Sequence, residues 1–345
     1  MRIVRSLVVA LGVCASLGIS AQARAADATL IAAAKQEGQV VWYSVQVVDQ
    51  LVAPVAKAFE AKYGIKVTYV RADPAEIALR VMNEAKAGKV QVDLLEGSQA
   101  AAGLKHEGVI LKWQPDIVKT FPPEYFDQEG YWVATNMYVL MAGFNTDLVQ
   151  KGTEPKSWDD LLDPKWRGRM VWNANLTTSA ASGFIALVLH EMGESKGMDY
   201  LRKLSGQKIT GLKVTARQIL DQVIAGEYAI GLNIYPSQVA GSRAKGAPIE
   251  RSSLKPASLG AVLVASLAKD APHPNAGKLL FDFLLSDEGQ TIYRDSDYNP
   301  VNPNVAPKDP TVRPDGVKLR AWFMNPEGEN AFLPKGMEIM QELFH

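Results

Sequence analysis

Gln39-Val-Val-Trp-Tyr-Ser44, then Ile65-Lys-Val-Thr-Tyr-Val70, then Val92-Asp-Leu-Leu95 are three short β-prone runs, and what separates them decides the fold class. Between the first two, residues 51–63 place Val52, Val55, Ala56, Phe59 and Tyr63 on one helical stripe, and Gly64 stands where a helix C-cap belongs. Between the second and third, Ile77, Val81 and Ala85 lie four apart in a helix expected over 75–87, closed by Gly88. Strand, helix, strand, helix, strand predicts a parallel sheet covered by helices. Ligands of such sheets sit beyond the C-terminal ends of the strands. Here those ends are Ser44-Val-Gln46, Arg71-Ala-Asp73 and Glu96-Gly-Ser98.

Downstream the α/β alternation resumes. After a loop with Phe121-Pro-Pro123, residues 131–144 are strand-rich. A short helix with Ser157 as N-cap is expected over 157–162, and a strand over 169–172. A polar loop, 173–182, leads into a helix over 183–192. Further expectations are a helix over 216–225, strands over 228–234 and 260–264, and one long amphipathic helix over 274–293 carrying Leu279, Leu280, Phe283 and Leu284. No Pro/Ser/Gly linker separates the halves, so the chain is expected to cross between two α/β lobes inside strands, making a hinged cleft.

The first 25 residues read differently. Arg2 and Arg5 precede an apolar run from Ser6 to Ile19, and Ala23-Arg24-Ala25 supplies a small-x-small cleavage pattern, so a secretory signal cut after Ala25 is expected. The run is shorter than the ~20 residues that span a bilayer. Cys14 lies inside it, and Gly12-Val13 is a poor lead-in for lipidation. The 345 residues carry 37 Lys+Arg and 37 Asp+Glu; removing Arg2, Arg5 and Arg24 with the signal leaves 34 against 37, net −3. Cys14 is the one cysteine, so the exported chain has no disulfide, thiolate metal site or cysteine nucleophile. A mildly acidic chain argues against a nucleic-acid partner, whose binding rests on a basic surplus.

Five blocks carry a resemblance to a known group. They are Ala34-Lys-Gln-Glu-Gly-Gln-Val-Val-Trp-Tyr-Ser44, Phe144-Asn-Thr-Asp-Leu148, Pro155-Lys-Ser-Trp-Asp-Asp-Leu-Leu-Asp-Pro-Lys-Trp-Arg-Gly168, the pair Asp270-Ala-Pro-His-Pro-Asn-Ala276 and Phe283-Leu-Leu-Ser-Asp-Glu-Gly-Gln290, and Tyr298-Asn-Pro-Val-Asn-Pro303. In this order they resemble periplasmic solute-binding proteins of ABC importers, in the branch that includes ferric-iron-binding proteins. Trp158, Trp166 and Phe283 within them are expected to be core residues. The resemblance implies a two-lobed α/β fold of the type II periplasmic-binding class, with two hinge crossovers and a ligand cleft between the lobes. It implies a monomer that needs no cofactor, closes on a small molecule and delivers it to an inner-membrane permease. The lobes are expected at 26–138 plus about 260–300, and at 139–259 plus about 301–345.

Iron-binding members of that group carry two adjacent tyrosines after the second-lobe strand. The matching segment, Leu232-Asn-Ile-Tyr-Pro236, keeps Tyr235 and has a proline at the second position, which has no ligating atom. Fe(III) wants several hard anionic oxygens, so a small polar organic anion (phosphonate, sugar phosphate or carboxylate) is the favoured ligand, with iron bound through Tyr235 and a synergistic anion as the alternative. Thr177, Thr178 and Ser179 ahead of a helix offer more hydroxyls than one N-cap needs, and suit an anion at the positive end of the helix. In the first lobe the candidates are Ser44, Gln46, Ser98 and the countercharge Arg71. Tyr138 stands where several relatives carry arginine, and Asn136 and Asn233 are possible amide contacts.

An enzyme on the same scaffold is the remaining reading. His106 and His190 are expected mid-helix among apolar neighbours, His273 in a proline-flanked turn, and His345 is terminal. No Gly-x-Ser-x-Gly elbow, His-x-x-x-His pair or glycine-rich phosphate loop occurs. Asp159-Asp160 is the paired-carboxylate candidate, better read as first-turn helix acids.

Overall fold

In the computed structural model the described residues are 19–174, 179–314 and 318–344. Helix α1 (Ile19–Glu37) leads into β1 (Gln39–Ser44), α2 (Ala53–Tyr63), β2 (Lys66–Arg71), α3 (Pro74–Lys86), β3 (Leu94–Glu96) and α4 (Ser98–His106). Gly64 ends α2 in the left-handed region, φ 71°, with its N–H on the Glu60 carbonyl, a conformation that costs glycine little. β1 pairs with β2 and with β3 in parallel, as the alternation predicts.

The chain continues through β4 (Val133–Asn145), β5 (Met170–Asn173), α5 (Ser179–Met192), α6 (Glu194–Ser205), β6 (Thr210–Leu212), α7 (Ala216–Ile224), β7 (Ile230–Ile234), α8 (Pro236–Arg243) and β8 (Ile249–Ser252). It closes with β9 (Ser258–Leu267), α9 (Pro274–Leu285), α10 (Asp287–Asp295), β10 (Asn299–Pro300), β11 (Ala321–Phe323) and α11 (Pro326–Leu343). The strand order is β2-β1-β3-β9-β4-β7-β5-β6, with β8 and β10 also on β4 and β11 on β9. Two parallel halves are thus joined by a central antiparallel pair. Residues 133–140 of β4 lie along β9, and from Met141 onward the same strand pairs with β7 and β8. β4 and β9 are the two crossings that the lack of a linker called for.

Apolar packing follows the same division. One core gathers Trp42, Phe59, Trp132, Phe281 and Phe283 with the side chains around β1, β3 and α9. Another gathers Trp158, Trp166, Trp172, Phe184 and Leu201, and receives Ile339 and Met340 from α11 and Phe344 just after it. Trp158, Trp166 and Phe283 are fully buried, as expected of scaffold residues.

Four expectations are corrected. The helix expected over 274–293 is two helices, because Ser286 turns extended (ψ 162°) and its side chain caps α10 by accepting the Gly289 N–H. The helix expected from 183 begins at Ser179. The turn after Ser157 is a 3-10 helix, Asp159–Leu162, and Ser157 Oγ accepts the Asp160 N–H. His106 is not mid-helix among apolar neighbours: it is the last residue of α4, its side chain 87% exposed.

Candidate functional site

A cavity of about 590 Å³ opens beside the β4 crossing, where the two halves of the sheet meet. Tyr138 enters it from β4 and Tyr235 from the turn between β7 and α8. Their rings meet edge to face, centroids 5.3 Å apart at 79°. Tyr298 adds a third phenol, itself edge-on to buried Tyr293 at 6.1 Å. Burial pushes all three phenols above their ordinary range, so each stands as a neutral hydroxyl. The rest of the wall is mixed: Gln50 and Val47 on one side, Ser237, Gln238 and Gly241 of α8 on the other, with Arg251, Arg294, Lys308, Asp297 and Asp309 at the rim. The rim charges are paired. Arg251 donates to Asp309 and to Thr311 Oγ1 (2.8 Å), Lys308 reaches Asp297 (2.7 Å), and Arg294 reaches Asp295 (2.8 Å).

The strand-end residues from the first half do something else. Glu96 ends β3 fully buried, and Ser44 Oγ, Thr135 Oγ1 (3.1 Å) and Tyr293 OH (3.3 Å) all donate to its carboxyl. Burial pushes that carboxyl up to about 7, against the partial pull of the hydroxyl donors. Gln46 joins the hub through its N–H on Ser44 Oγ (3.1 Å) and its amide on Asn136 Oδ1 (2.8 Å). Ser44 and Gln46 are thus turned inward and do not line the cavity, and Ser98 Oγ donates to the Val262 carbonyl at 2.6 Å, fastening α4 to β9. The strand-end rule locates the backbone; it does not say which way a side chain points. Arg71 is exposed at the end of β2, close enough for its charge to act on the Tyr298 phenol, but it is not part of the wall.

Asn233 lies two residues before Tyr235 with φ 59°, a left-handed conformation asparagine tolerates better than most residues. Asn136 is fully buried beneath Tyr138, and its Nδ2 has no hydrogen-bond partner among the described residues. Thr177 and Thr178 lie outside the described residues; Ser179 is the first residue of α5, and its side chain is likewise outside them. The sequence reading missed Tyr298, Gln238, Arg251 and Glu96. Tyr298 heads a block already quoted for its likeness, which was a usable signal; Gln238 and Arg251 have no local one.

A second concavity, about 510 Å³, lies over residues 152–165. Two of its acids are held by backbone: Asp160 Oδ2 accepts the N–H groups of Lys156 (2.8 Å) and Ser157 (2.9 Å), and Asp163 Oδ1 that of Lys165 (3.0 Å). Asp159 and Asp160 both fall in the first turn of the 3-10 helix. Of the described histidines, His190 stacks on Trp322 at 4.6 Å, and His273 meets buried Asp93 through its N–H (2.6 Å) and Nδ1 (2.9 Å). Among the described residues no group of three or more His, Cys, Asp or Glu is placed to hold a metal ion.

Two parallel half-sheets joined by crossing strands, with a polar and aromatic cleft at the junction, define a type II two-lobed binding protein. Residues 55–318 match the family described as bacterial extracellular solute-binding protein, and the chain belongs to it. A putative 2-aminoethylphosphonate-binding periplasmic protein of Salmonella typhimurium is 25% identical over 296 residues, 79% of this chain and 78% of the relative. Iron-bound HitA from Pseudomonas aeruginosa is similar with a TM-score of 0.72 at 22% identity, over 88% of this chain and 99% of that one. AfuA from Actinobacillus pleuropneumoniae, solved with fructose-6-phosphate, gives 0.71 at 21% identity, over 89% and 98%. At such identities the structures speak for the fold alone.

Proposed function

We propose that this protein is the periplasmic solute-binding component of an ABC importer. It captures a small polar organic ligand, anionic in character (a phosphonate, sugar phosphate or carboxylate), by hinge closure and hands it to an inner-membrane permease. The observation that carries the reading is the cleft at the β4 crossing, walled by Tyr138 from the crossing strand and Tyr235 from the second half. No catalytic role is assigned to any residue, no cofactor is needed, and the working form is a monomer. The relative with a periplasmic name supports export. Cleavage after Ala25 rests on the Ala23-Arg24-Ala25 pattern behind the apolar run. For the lobes, 26–138 with about 260–300 and 139–259 with about 301–345 remain the working division. The packing of Val301, Val312 and Leu319 in the first core supports moving the last border to about residue 320.

Ferric iron is the second reading, because Tyr138 sets another phenol against Tyr235 where position 236 is proline. The cost of ionising two buried phenols counts against it. Thermal-shift and calorimetric titrations with phosphonates, sugar phosphates, carboxylates and ferric citrate separate the two. Binding of an organic anion without a visible phenolate-to-iron band is the expected result, and the band alone would reverse the order. Tyr235→Ala and Thr178→Ala are each expected to weaken binding without unfolding the protein; unchanged affinity in both would mean the cleft is misplaced.

A further inference from the structure

Resting on the reading of this cleft as the ligand site, we propose that its ligand carries a planar ring and at most one net negative charge: a ring-bearing organic monoanion or zwitterion held against the tyrosine wall. Size is the first reason. About 590 Å³ lies within the range of pockets that enclose whole organic molecules. The wall is the second. Tyr138, Tyr235 and Tyr298 are half-buried, and the edge-to-face contact of the first two and the contact of Tyr298 with Tyr293 set the rings' orientation. An aromatic face is the negative side of the ring's quadrupole, so it favours the edge or face of another ring and disfavours a bare oxyanion.

Charge is the third reason. Arg251, Arg294 and Lys308 at the rim are each matched by a carboxylate, Asp309, Asp295 and Asp297, so these cations bring no surplus for a dianion. Arg71, outside the wall, is close enough for its charge to act on the Tyr298 phenol and has no ion pair to a described residue, which leaves one positive charge nearby.

The test is a titration of the purified protein with nicotinate, 4-hydroxybenzoate and tryptophan on one side, and inorganic phosphate, succinate and 2-aminoethylphosphonate on the other. A ring compound is expected to bind and the acyclic anions not. For the tightest ring compound, Tyr298→Leu is expected to lower affinity about three- to tenfold, while Tyr298→Phe retains it. Binding of phosphate, succinate or the phosphonate with none of a ring compound would overturn the inference and leave the solute-binding reading standing. A ferric phenolate band with no organic binding would overturn both.

Discussion

Glu96→Gln tests the buried hub behind the cleft most directly. Glu96 is fully buried, accepts three hydroxyl hydrogen bonds, and has its carboxyl pushed up to about 7 from an ordinary 4.5. A carboxyl whose folded-state pKa is raised favours the folded state most when protonated. Its contribution is complete below pH 4.5 and is lost as pH rises through about 7. Integrated from pH 5 to pH 8, that loss is about 2–3 kcal/mol, and burial leaves little solvent to screen it. The amide of Glu96→Gln does not titrate, yet it keeps an acceptor for Thr135 and Tyr293. Urea unfolding of both proteins at pH 5, 6, 7 and 8 is the assay. Glu329, also pushed up by burial, and Asp93 titrate in both proteins and drop out of the difference. Wild type should be the more stable at pH 5 and lose its lead by pH 8. A difference that is the same at all four values would refute the assignment of a neutral acid to this hub.

Two further outcomes follow from packing and from the rim. In Gly289→Ala the new Cβ would stand 2.0 Å from the Phe283 carbonyl oxygen, a backbone clash where α9 passes to α10, so a loss of more than ~2 kcal/mol in urea unfolding is expected, and a loss below ~1 kcal/mol would show that the junction yields. Asp309→Asn should cost under ~1 kcal/mol of stability, because the pair it breaks is partly exposed, while freeing Arg251 to strengthen anion binding about two- to fivefold at low salt; unaltered affinity would mean that Arg251 does not face the ligand.

What could be read in the chain divides along physical range. The parallel half built from β1, β2 and β3 was legible because its signals are local: stripes of period 3.6, alternation of period 2, and glycines at 64 and 88 where helices end. The split at Ser286 was not, since the apolar period of Leu279, Leu280, Phe283 and Leu284 runs up to it and the break depends on a serine turning extended to cap the next helix. The antiparallel joining of β4 to β9 was legible only as a need to cross, because its register pairs Val133 with Ala265, far apart in sequence.

The site divides in the same way, and the division bears on how such a cleft obtains selectivity. Strand ends were expected to supply ligand contacts, yet Ser44, Gln46 and Ser98 hydrogen-bond toward Glu96, Asn136 and the Val262 carbonyl. Side chains committed to such a network cannot also adapt to a ligand without leaving buried groups unmatched. On the proposed reading of the cleft, the first half offers the ligand a stiff backing, and discrimination falls to Tyr138, Tyr235, Gln238, Arg251 and Tyr298, which share a wall without sharing a sequence neighbourhood. On that reading the hub stays fixed while the wall changes: Trp158 and Trp166 of the resemblance blocks lie in a core, Tyr138 and Tyr235 of the wall stand outside those blocks, and Tyr298 alone of the three tyrosines heads one.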